Sequence, residues 1–77
     1  MRWIKIDHAS GVTFLNIEQV FQFQASGTDA VTFYDANSIL PTTFTFASQN
    51  DRNEFLTKIS FILDVVNVDA MAVQTNA

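Results

Sequence analysis

The chain contains one histidine, His8, and a carboxylate, Asp7, stands next to it. An imidazole beside an acid is the minimum for general acid–base chemistry, but catalysis also needs a third group to orient the pair and a nucleophile within reach. The sequence shows no Ser/His/Asp order, no nucleophile elbow and no glycine-rich phosphate loop, and it holds only two glycines. His8 therefore reads as a solvated turn histidine, and the chain as a non-enzyme with no catalytic residue. With no cysteine and a single histidine, thiolate and histidine-rich metal sites are excluded. Asp35-Ala36-Asn37-Ser38 opens like a calcium loop, but Ile39 and Leu40 follow where an oxygen ligand and a glycine are required. That stretch reads as an Asx turn, so no metal and no cofactor is assigned.

The elements that would position any site are written mainly in phenylalanine. Eight phenylalanines occur in 77 residues, and six of them, Phe14, Phe21, Phe23, Phe33, Phe44 and Phe46, fall in alternating segments. Alternation places residues on two faces of a strand, so these six are expected to be the sheet's half of a core. Arg2 to Asp7 alternates as a first strand, and His8-Ala9-Ser10-Gly11 turns into Val12-Thr13-Phe14-Leu15, which predicts a hairpin. Val20 leads into Phe21-Gln22-Phe23-Gln24, with Phe21, Phe23 and Ala25 expected on one side. Ser26-Gly27-Thr28-Asp29 turns the chain into a strand from Ala30 to Asp35. A last strand, Thr42-Thr43-Phe44-Thr45-Phe46, begins only after Pro41, because proline cannot donate to a central ladder.

Ser48 breaks the period. Its hydroxyl can cap a helix, with Asp51 three residues on and favourably placed at the positive helix end. The helix is expected from Gln49 to Val66, with Phe55, Leu56, Ile59, Ile62, Leu63 and Val66 as the stripe that covers the sheet. Phe61 and Val65 lie off that stripe beside Glu54 and Lys58, forming a second, smaller apolar patch. Residues 1–67 are expected to form one compact domain, with 68–77 a tail that frays or joins oligomer contacts. The fold class is α+β: an antiparallel meander of four to five strands, then one C-terminal helix on one sheet face.

Four basic and eight acidic residues give a net charge of −4, spread evenly, which disfavours nucleic acid and anionic membrane as partners. No apolar run reaches the ~20 residues of a membrane span, and the chain is expected to be cytoplasmic. The order of strands followed by a helix is similar to that of the single-stranded-DNA-binding transcriptional coactivator family. That resemblance implies a stacking platform, for which Trp3, Lys5 and Tyr34 are the candidates. It covers the order of elements only. The basic strand residues expected of that family are absent, and the outward face is expected to carry Gln22, Gln24, Thr32, Thr43 and Thr45 instead.

Self-association has the stronger physical motive. Hydrophobic residues make up 48% of the chain and charged ones only 16%, against about 25% in ordinary soluble domains. A chain this short buries only about 60% of its unfolded surface and has no disulfide or metal to compensate. The sequence thus reads as a protein–protein interaction or regulatory module acting as a homo-oligomer, with Phe61, Val65, Lys58 and Glu54 as interface candidates. Its partners would be a copy of itself and another protein, in the manner of phage or bacterial accessory proteins.

Overall fold

The computed structural model describes residues 2–66. Its elements are β1 (Trp3–His8), β2 (Gly11–Asn16), a 3-10 turn (Ile17–Gln19), β3 (Val20–Ser26), β4 (Ala30–Asp35), β5 (Thr42–Thr45) and α1 (Gln49–Ile62). The α+β order of antiparallel strands followed by one helix is as expected; the tail expected over 68–77 lies outside the described residues. Gly11 and Gly27 serve the two hairpin turns at φ 134° and 55°, a region costly for any residue with a Cβ. The Asn37 N–H donates to Asp35 Oδ1 at 2.7 Å, which makes the Asx turn. The Asp51 N–H donates to Ser48 Oγ at 3.1 Å, which starts α1.

The strands do not form one meander. β1 and β2 pair with each other, while β3, β4 and β5 make a separate sheet with β4 in the centre. The division starts at Asn16, whose side chain accepts from the Glu18 N–H at 3.2 Å and caps the 3-10 turn. Those three residues redirect the chain, so β2 and β3 are not neighbours. The two sheets meet where the Ala9 N–H donates to the Thr45 carbonyl at 2.8 Å.

The core lies between the sheets and α1. Ile6, Ile17, Val31, Phe33, Phe44, Phe46 and Ile59 form it, with Ile4, Leu15, Val20, Phe23, Phe55, Leu56 and Leu63 around them. Phe33 is its centre: the rings of Phe23 and Phe44 both stand 5.7 Å away and that of Phe55 6.2 Å away. Burying each such side chain stabilises the fold by about 1.5–3 kcal/mol.

Two of the six sheet phenylalanines are not core. Phe14 is 64% exposed, because Ile4 pairs with Leu15 and Ile6 with Thr13, which leaves Val12 and Phe14 on the outer face. Phe21 is 68% exposed. The β3–β4 register shifts between Val20 and Gln22, so Phe21 is the unpaired residue of a bulge. One extra residue inverts the alternation; Val20 and Phe23, three apart, both reach the core, and Phe21 does not share their face.

The helix also ends earlier than its apolar pattern suggests. Asp64 adopts a left-handed φ of 56°, the Asp64 N–H donates to the Phe61 carbonyl at 3.3 Å, and the Val65 N–H donates to the Ser60 carbonyl at 3.0 Å. This pair of bonds is a Schellman stop, here with aspartate in the place glycine usually takes. Val66, beyond the stop, therefore leaves the stripe, and Ile62, in the last turn of α1, is half exposed as well. At the other end the stripe gains Arg52, which is buried and donates from Nη1 to the Ala30 carbonyl at 3.0 Å and from Nε to Asn53 Oδ1 at 2.8 Å. Position 52 precedes Phe55, Leu56 and Ile59 by three, four and seven residues, so spacing pointed to it while its charge hid it.

Candidate functional site

The Schellman stop creates the first candidate surface. By turning the chain at Asp64 it holds Val65 beside Phe61, and the two share a shallow depression of about 430 Å³ with Thr57, Ser60 and Asp64. Phe61 is 89% exposed, and Val65 is half exposed. Glu54 and Lys58, expected beside them, precede Phe61 by seven and three residues on α1. They pair with each other at 3.3 Å and line a separate cleft of about 440 Å³ between α1 and β1, opposite Lys5 and Asp7. The cleft exists because β1 runs alongside α1 in the opposite direction: Arg2 Nη1 donates to the Ile62 carbonyl at 3.5 Å, and Ala9 is bonded to Thr45 near the start of the helix.

His8 borders that cleft but is committed structurally. The Ser10 N–H donates to its Nδ1 at 3.3 Å, so Nδ1 carries a lone pair, and the proton on Nε2 is the one shared with Thr13 Oγ1 at 2.8 Å. Its ring also lies 4.9 Å from that of Phe44. Asp7 points to the opposite face of β1, and no hydrogen bond joins it to His8 among the described residues. Among those residues no three His, Asp or Glu side chains gather within reach of one metal ion.

Trp3, Lys5 and Tyr34 are not brought together. Trp3 and Lys5 share the outer face of the hairpin, where Lys5 pairs with Phe14 across the strands. Tyr34 belongs to β4 in the other sheet, and its ring lies 6.4 Å from that of the bulged Phe21. The structure adds what alternation alone missed: Val12 and Phe14 join Trp3 to make the outside of the hairpin apolar, at 53%, 64% and 58% exposure. A further exposed pair, Ile39 and Leu40, sits in the loop before Pro41. There Ser38 Oγ donates to the Leu40 carbonyl at 2.8 Å, and Asn37 Nδ2 donates to Gln19 Oε1.

No known family model, no curated protein and no solved structure matches this chain. Among the described residues no helix is long and apolar enough to cross a membrane.

Proposed function

We propose that this protein is a small non-enzymatic interaction module that acts as a homo-oligomer and presents a free apolar surface to another protein. The observation that carries the reading is that large apolar side chains are left outside in groups. Trp3, Val12 and Phe14 form one group, and Phe61 and Val65 form another. Grouped apolar exposure of this kind marks interaction surfaces, whereas single exposed residues are ordinary. The α1 end suits a different protein better than a second copy. Its depression carries Asp64 as its charge, so a symmetric contact would bring Asp64 of each copy together. A partner offering a basic residue beside an apolar side chain fits it.

Light scattering on the full chain at micromolar concentration tests the reading. A mass of a multiple of 8.6 kDa is expected, and 8.6 kDa at every concentration sinks it. Single-stranded nucleic acid is the second reading, resting on Trp3, Phe14 and Lys5 sharing one face. The net charge of −4 counts against it, since phosphate neutralisation supplies most of such affinity.

A further inference from the structure

The β1–β2 hairpin is apolar on both faces. Ile4, Ile6 and Leu15 point inward to the core, while Trp3, Val12 and Phe14 point outward and are more than half exposed. A two-stranded ribbon has little stability of its own, and among the described residues only one of its faces is covered. The outer face also carries two opposite charges on one strand, Lys5 and Asp7, and neither has an ion-pair partner among the described residues. Lys5 and Asp7 also border the cleft to α1 with Asp51, Glu54 and Lys58; Glu54 and Lys58 pair with each other there, which leaves Lys5 and Asp7 as a cation and an anion at the edge of the hairpin's face.

We propose that the outer face of the hairpin is a two-fold interface with a second copy of this chain, in which Lys5 of each copy meets Asp7 of the other. A two-fold contact places the same patch on both sides, so it must be complementary to itself. A face with one cation and one anion two residues apart meets that condition: rotation sets Lys5 over Asp7 twice and keeps like charges apart. Val12 and Phe14, the cross-strand neighbours of Asp7 and Lys5, supply the apolar centre of the contact and Trp3 extends it along the strand, with aromatic rings of the kind enriched in such contacts. The depression at Phe61 lacks this complementarity, because its charge is Asp64. The inference rests on the homo-oligomer reading and names the surface that carries it.

The chain's single tryptophan, Trp3, reports on the contact. With the full chain, its emission is expected to shift to the blue as concentration rises, in step with a doubling of the mass by sedimentation. Phe14→Glu should hold the protein at 8.6 kDa with its circular dichroism unchanged. Lys5→Asp and Asp7→Lys should each weaken association by roughly tenfold, and the double exchange should restore it, which a merely structural role of either residue would not do. An 8.6 kDa mass throughout overturns both this assignment and the oligomer reading. Assembly that survives Phe14→Glu and is lost in Phe61→Lys overturns this assignment alone. Saturable, salt-sensitive quenching of Trp3 by an oligothymidylate, without assembly, gives the face to nucleic acid and likewise overturns it.

Discussion

On the outside of the three-stranded sheet, Ser26 and Thr32 hydroxyls stand 2.5 Å apart and Thr32 and Thr43 hydroxyls 2.9 Å apart, forming a ladder across all three strands. Gln22 and Gln24 lie next to it, their amides 3.5 Å apart. On the outside of the hairpin, the corresponding positions hold Trp3, Val12 and Phe14. Both sheets turn apolar residues to the same core, so the difference between them lies entirely on their outer faces. The three-stranded sheet joins Ser26, Thr32 and Thr43 hydroxyls across its strands, and its one large exposed apolar side chain there, Phe21, lies against the Tyr34 ring. The hairpin has no such ladder, and its apolar outer side chains gain by leaving water.

Substitutions on each side of this contrast test it. The largest effects are expected inward, where the two sheets are alike: Phe33→Ala should cost about 3–5 kcal/mol and Ile6→Ala about 2–5 kcal/mol in urea unfolding. Both side chains are almost wholly buried. If Ile6→Ala proves nearly silent, the hairpin is an appendage and not half of the core. A smaller loss, about 1 kcal/mol, is expected for Thr32→Val, which keeps the shape and removes the central hydroxyl of the ladder. The smallest is Phe14→Thr, which should change the unfolding free energy of the dilute protein by no more than about 0.5 kcal/mol, while lowering its tendency to associate. A loss of several kcal/mol at high dilution would mean that Phe14 packs within its own chain, and the contrast would collapse.

Much of this architecture was legible in the sequence. Ser48 as a helix cap, the Asx turn at Asp35, glycine in both hairpin turns and the strand beginning after Pro41 all depend on contacts within a few residues, so the local sequence suffices to write them. The patch at Phe61 was partly legible. Phe61 and Val65 do stay together, though through a Schellman stop and not as neighbours on a longer helix. Glu54 and Lys58, seven and three residues before Phe61 on α1, also border the cleft that β1 makes by running alongside the helix. Arg52 was missed because charge argues against burial until a carbonyl, here that of Ala30, is seen to receive it.

The sequence by itself therefore determined the order and kind of the elements, since period and capping are properties of neighbouring residues. Only the tertiary structure decided which face of each strand is inside. Alternation defines two faces but does not label them. The label comes from register against a partner strand, as when Thr13 and Leu15 turn inward and Phe14 outward, or from one bulged residue, as at Phe21. The surface proposed here for a second copy arises at that step, because inverting the hairpin's faces would have buried Phe14 and exposed Leu15.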